Sequence, residues 1–220
     1  MKTLKITQAD LDKDNFYIGK EELSDYFKPF DGNIEIDGGL GYVKFKKSIV
    51  LSGDLIAKAG SGITAGSDIT AGEGITAGWG IKASSGITAG WGIEAGEGIT
   101  AGWGIKAGGS ITAGKGIKAG DGITAGRGIE AGSDIEAGWD IEAGEGITAG
   151  EDIKAGSGIV SLHSSVKAKL NIVFNSSCTL SAGIFSTSGE KEIEAQEILG
   201  GKVIYGKVNI IESSLRKMAL

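Results

Sequence analysis

The chain has one cysteine, one proline and one histidine in 220 residues, and aromatic residues make up only 6% of it. A single cysteine, Cys178, excludes a disulfide framework and a thiolate metal site, and reads as a lone buried thiol. With no cluster of Cys and His there is no zinc signature. The segment Met1 to Asp10 lacks an apolar stretch of signal-peptide length, and no run approaches a membrane span. That pattern leads us to expect a cytoplasmic protein. The formal net charge of −6 argues against direct binding to nucleic acid or to an anionic membrane. Catalytic equipment is also missing. His163 has no identifiable acid partner, and the glycines follow a repeat instead of opening a helix as a phosphate loop does. We therefore expect no enzyme activity and no cofactor.

What the chain has in abundance is glycine, 40 residues of it, and the glycines are in register with a hexad. From Ile63 to Ile159 an isoleucine falls on every sixth residue, and an alanine follows two residues later from Ala65 to Ala155. A glycine comes after each alanine except at Ser84, giving Ile-x-Ala-Gly-x-Gly. Residues two apart point to the same face of an extended segment, so Ile and Ala face inward and the residue between them faces out. The Gly-x-Gly segment predicts a corner that uses positive φ angles, with Asp68, Ser110, Asp134, Asp140 and Asp152 replacing the second glycine. Spacings of two and six, with so much glycine, exclude a helix. The fold class is all-β, a β-solenoid of stacked coils.

The outward residues sort cleanly in steps of twelve. Thr64, Thr76, Thr88, Thr100, Thr112 and Thr124 form one series, while Lys82, Glu94, Lys106, Lys118, Glu130, Glu142 and Lys154 belong to the other. The corner residues Trp79, Trp91, Trp103, Lys115, Arg127, Trp139 and Glu151 form one row in the same step. This predicts a two-sided coil of twelve residues, with a three-sided coil of eighteen as the alternative.

Residues 1–50 carry charge and aromatics and read as an N-terminal cap. A short helix is expected over Lys20 to Lys28, ended by Pro29, followed by strands at Asn33–Asp37 and Gly41–Phe45. The hexad solenoid occupies 51–159, and 160–220 reads as a C-terminal β cap that could also join protomers. Within it one long strand is expected across Val166 to Phe174, further strands at Leu180 to Ile184 and Val203 to Ile211, and a short helix over Ser213 to Leu220.

The repeat resembles three kinds of solenoid. Its threonine row is similar to the ladders of insect antifreeze coils, which implies an ice-binding surface, although here there is one column of Thr and not two. Its small glycine-rich unit resembles that of bactofilin-type proteins, which implies a filament. Its hexad resembles that of hexapeptide acyltransferases, in which a solenoid histidine is the general base and His163 would be the counterpart.

Two features point to binding. The row Trp79, Trp91, Trp103, Lys115, Arg127 and Trp139 would place exposed indoles and cations along one edge. Between Gly128 and Asp152 there are eight acidic residues and no Lys or Arg, among them Asp140, Glu151 and Asp152, which would form an acidic patch. The expected function is a non-enzymatic interaction module for a protein partner, a nucleic-acid-binding protein first of all. By analogy with acidic pentapeptide-repeat solenoids, it would act as a DNA-mimic-like inhibitor.

Overall fold

A computed structural model of the chain describes residues 2–169, 171–174, 179–182, 191–195 and 197–211. The strands β1 (Lys2–Ile6), β2 (Gly32–Ile36), β3 (Gly41–Phe45), β4 (Ile49–Leu51), β5 (Leu55–Ala57) and β6 (Ser61–Ala65) open the fold. Sixteen three-residue strands follow, β7 to β22, one for each repeat isoleucine from Ile69–Ala71 to Ile159–Ser161. The last are β23 (Val166–Ala168), β24 (Asn171–Phe174), β25 (Thr179–Ala182), β26 (Glu192–Ala195), β27 (Glu197–Leu199), β28 (Lys202–Tyr205) and β29 (Lys207–Ile210).

From β2 onward every third strand pairs, in parallel, and β1 pairs with β2. Sheet I runs from β3 through β6 and β9 to β27, sheet II from β4 through β7 to β28, and sheet III from β1 through β2 and β5 to β29. Sheets I and II have nine strands each, so the rod is a parallel β-solenoid of nine turns. In the repeat each residue stacks on the one eighteen positions away, as Ile87 does on Ile105 and Ile69. The coil is thus three-sided, and the two-sided coil of twelve residues is wrong. The reason lies in the core. All three hexads of a turn offer the same inward pair, Ile and Ala, so inward residues carry no information on how many hexads close a turn. The outward series follow a twelve-residue period that the coil does not share.

The core is a triangular column of isoleucines, each at most 1% exposed, with alanines beside them at no more than 8%. Turning about 120° at each corner brings three Ile of one coil together, where a large apolar side chain fills the axis and Ala fits the flank. No hexad can bury its apolar face alone, so stacking supplies the core.

The corners depart from expectation too. None of the repeat's corner glycines has a positive φ, and among the described residues the only non-glycine with positive φ is Asn15. The first glycine is required by close approach instead. A Cβ on Gly126 would stand 2.1 Å from the Gly108 carbonyl oxygen one coil below, and one on Gly138 would stand 1.9 Å from that of Gly120. At the second glycine there is room: a Cβ on Gly128 would meet only the Gly146 oxygen, at 3.4 Å. That explains why Asp and Ser replace the second glycine at five corners, whereas the first is replaced only once, by Ser84.

The N-terminal end is closed on all three sides. β1 covers sheet III, Phe16 and Tyr17 bridge to Lys44 over sheet I, and Leu23 and Phe30 pair with Val50 and Leu51 over sheet II. The helix expected over Lys20–Lys28 is absent, and among the described residues the only helix is the 3₁₀ turn Gln8–Asp10. Two competitors win there. The Leu23 carbonyl accepts from Val50 N–H, and the Glu22 and Asp25 carboxylates take the N–H groups of Ser24, Phe27 and Lys28. Val166 to Phe174 forms two strands on different sheets, β23 on sheet III and β24 on sheet I, because the chain turns a corner there. Cys178, Ile184 and the helix expected over Ser213–Leu220 lie outside the described residues.

Candidate functional site

A coil of eighteen redistributes the expected Trp/basic edge over three edges. Trp79, Lys115 and Glu151 lie between sheets III and I, with Glu97 between Trp79 and Lys115. Trp91 and Arg127 lie between sheets II and III, separated by Gly109. Trp103 and Trp139 lie between sheets I and II, with Asp121 on the intervening coil. Trp79, Trp91 and Trp103 are therefore not axial neighbours: the Trp79 carbonyl accepts from Glu97 N–H at 3.4 Å, on the coil eighteen residues on.

Trp79 is built into the rod. Its ring meets Tyr42 edge-on at 5.8 Å, and Lys82 Nζ sits 4.7 Å from the Tyr42 ring centroid. Lys115 pairs with Glu97 at 3.1 Å. Burial, and then the Glu97 carboxylate, push the Tyr42 hydroxyl above its ordinary pKa. Among the described residues Trp79 is the only tryptophan with an aromatic ring contact. Trp79 is 39% exposed, and the other three are more so: Trp91 by 65%, Trp103 by 62% and Trp139 by 63%.

The acidic run is not a patch on one face either. Glu130 is on sheet III and Glu142 on sheet II, while Glu136 is on sheet I, where Lys118 and Lys154 pair with it at 2.7 and 3.8 Å. The twelve-residue register would instead put these two lysines beside Glu130 and Glu142. Asp140 and Asp152 lie on different edges, so they do not stack. Each has a structural partner instead. Asp140 Oδ1 accepts the Gly158 N–H at 2.8 Å, and Asp152 Oδ1 accepts from Asn171 N–H and Nδ2, both at 3.0 Å. Asp54, Asp68 and Asp134 do the same for Gly74, Gly86 and Asp152. At the second corner position Asp is a clasp between coils, and its charge is secondary to that. For Asp152, burial acts to raise the carboxyl pKa. The Lys154 ammonium at 3.0 Å and the Asn171 donors outweigh it and hold the group below its ordinary value.

What survives as a site is the edge between sheets I and II. Asp121, Gly122, Thr124, Trp139, Asp140 and Glu142 line an open groove of about 410 Å³. Trp139 and Asp140 are adjacent on one corner, Asp121 is one coil below, and Glu142 points out from β19 (Ile141–Ala143) beside Thr124. On its ladder Glu142 lies between Thr124 and Val160, neither of them charged. Among the described residues no Lys or Arg forms an ion pair with Asp121, Asp140 or Glu142. The groove thus offers three carboxylates around an exposed indole. Glu142 belongs to the acidic run that the sequence singles out, whereas Asp121 lies outside it, and only an eighteen-residue register places Asp121 between the two tryptophans.

His163 projects where the repeat ends, with its Nδ1 2.6 Å from the Gly144 carbonyl oxygen, to which it donates. Among the described residues there is no metal-binding cluster, and no helix is long and apolar enough to cross a membrane. No known protein family matches the chain, and neither a curated protein nor a solved structure is similar to it.

Proposed function

We propose that this solenoid is a non-enzymatic binding rod that captures a basic segment of a protein partner along the edge between sheets I and II. The observation that carries this reading is the groove, with a largely exposed Trp139 among Asp121, Asp140 and Glu142. An exposed indole face attracts a cation, and carboxylates beside it fix and pair the same group, so the natural occupant is an Arg or Lys side chain. Trp103, two coils away, offers a second indole at about 9.6 Å along the axis, within reach of a neighbouring basic residue on an extended segment. Nucleic-acid-binding proteins display such basic segments, and a rod that occupies one would inhibit by competition. This edge sets tryptophan beside carboxylates, not beside the cations that a twelve-residue register would bring to it.

The test is a titration with a short arginine-rich peptide, read by tryptophan fluorescence and calorimetry. Trp103→Ser with Trp139→Ser should weaken binding about thirty-fold or more, the ~2 kcal/mol of an aromatic hot spot. Trp91→Ser, on another edge, should leave it unchanged, and added salt should weaken the wild type. Unaltered affinity in the Trp103/Trp139 variant would remove this edge from the function.

A further inference from the structure

The two ends of the rod are built differently, and among the described residues nothing covers the C-terminal end. Its last coil consists of β27, β28 and β29, one strand at the end of each sheet. Ile198, Val203, Val208 and Ile210 occupy its inward positions, in register with the buried Ile172, Leu180, Ile193 and Ala195. Val208 and Ile210 are 43% and 56% exposed, whereas Ile193 and Ala195 beneath them are fully buried. Leu199, Ile204 and Ile211 add an exposed apolar rim.

The backbone is open as well. Lys207 and Ile211 donate their N–H groups down to Lys191 and Ala195, so by alternation the polar groups of Val208 and Ile210 point away from the rod. Free edges of this kind are normally blocked by inward charge, proline or a covering segment. Here the three charged residues of the last coil, Glu197, Lys202 and Lys207, all alternate with the inward ones and point outward. Among the described residues no inward charge guards the end.

We infer that a second copy of the chain covers this end, in a C-end to C-end dimer. A surface with three strand edges around an apolar triangle is matched in outline by another end of the same solenoid. The N-terminal end of a second copy is unsuitable, because β1 and the bridges of Phe16 and Phe30 already cover its sheets. Only like ends can meet, which gives a two-fold, isologous contact that closes on itself. The product is a rod of double length with a groove of the kind described above on each half, and it cannot grow into a filament.

Light scattering and small-angle X-ray scattering on the full chain test this together. The expected result is a mass about twice 22.4 kDa and a rod about twice the ~45 Å that nine coils span. Val208→Glu with Ile210→Glu should return the mass to that of one chain, with the β circular dichroism retained. Leu4→Glu, at the closed end, should leave the dimer intact. A wild-type monomer at 100 μM would overturn the inference. So would a dimer of unchanged length or a growing polymer. Should the double variant misfold, Ile210→Pro, which removes an outward-facing edge N–H, replaces it. A Pro variant that stayed dimeric would also refute the placement.

Discussion

Gly126 and Gly128 flank Arg127 in one corner, and alanine at the two should have opposite effects. A Cβ on Gly126 would stand 2.1 Å from the Gly108 oxygen and 3.0 Å from its carbonyl carbon. Ordinary contact is about 3.3 Å, so the coils would have to separate there by about 1 Å. They are held by Gly126 N–H to the Ala107 oxygen at 3.0 Å and by Arg127 N–H to the Gly109 oxygen at 3.2 Å. Separation on that scale breaks one or both bonds, at about 1 kcal/mol each, and adds about 1–3 kcal/mol of overpacking strain. Gly126→Ala should therefore cost about 2–5 kcal/mol. At Gly128 the nearest atom is 3.4 Å away and φ is not positive. There alanine only stiffens the unfolded chain, so Gly128→Ala should fall between neutral and about 1 kcal/mol stabilising. Urea denaturation followed by circular dichroism reads both. Equal stabilities for the two variants would show that the coils do not approach as described.

Two further outcomes follow from the aspartate clasps. Asp140→Gly with Asp152→Gly should destabilise by about 1–2 kcal/mol in total, because Gly158 and Asn171 lose their acceptors; a gain in the melting temperature would refute the clasp. Asp68 and Asp152 both have folded pKa values below their ordinary ones. For Asp68 burial opposes the shift, and hydrogen bonds from Tyr26, Gly86 and Ser67 outweigh it. Their contribution is complete above the unfolded pKa of about 4 and is lost as pH falls through the folded value. Stability should drop on acidification below about pH 4, and Asp68→Asn with Asp152→Asn should make that drop shallower; an identical pH profile would exclude these two carboxyls as its source.

Much of this fold is visible in the hexad. Period six with Ile and Ala two apart predicts the inward column, and every repeat isoleucine is buried. The reason for the glycines is not visible, because positive φ and close backbone approach both select glycine and leave the same letter. Coil size is hidden as well, since Ile75, Ile81 and Ile87 are the same residue type on three different sheets. That hidden number decides the site. Whether Trp91 or Asp121 is the neighbour of Trp103 depends wholly on residues per turn, so the four tryptophans could be named from sequence but not grouped. The role of Asp140 was missed for a related reason. Its partner, Gly158, is eighteen residues on.

The twelve-residue period misled on coil size, yet it has a physical consequence on an eighteen-residue coil. The two coincide every thirty-six residues, so the threonines of the series from Thr64 to Thr148 fall on alternate coils of each face, and only on sheet II does a threonine of the other series, Thr70, stand beside one of them, Thr88. Sheet III shows Thr76, Glu94, Thr112, Glu130 and Thr148 in turn, and sheet I shows Thr64, Lys82, Thr100 and Lys118. Like charges are thereby kept two coils apart, about 9.6 Å, close to the screening length at physiological salt. At one coil, about 4.8 Å, each like pair would cost up to about 0.9 kcal/mol even in water. The repeat threonine series is broken once by a charge, at Glu136, and there both neighbours, Lys118 and Lys154, are of opposite sign. Spacing of charge therefore explains the pattern without a threonine-specific ligand. Glutamate at Thr112 would stand between Glu94 and Glu130, and at Thr100 between Lys82 and Lys118. Both substitutions lose the same β-branched residue, so their difference isolates the charge. Thr112→Glu should be less stable than Thr100→Glu by about 1–2 kcal/mol after screening, with the gap shrinking in 1 M salt. Two variants of equal stability at low salt would mean that the threonines are kept for their hydroxyls, and the surface-binding reading of the ladder would regain its footing.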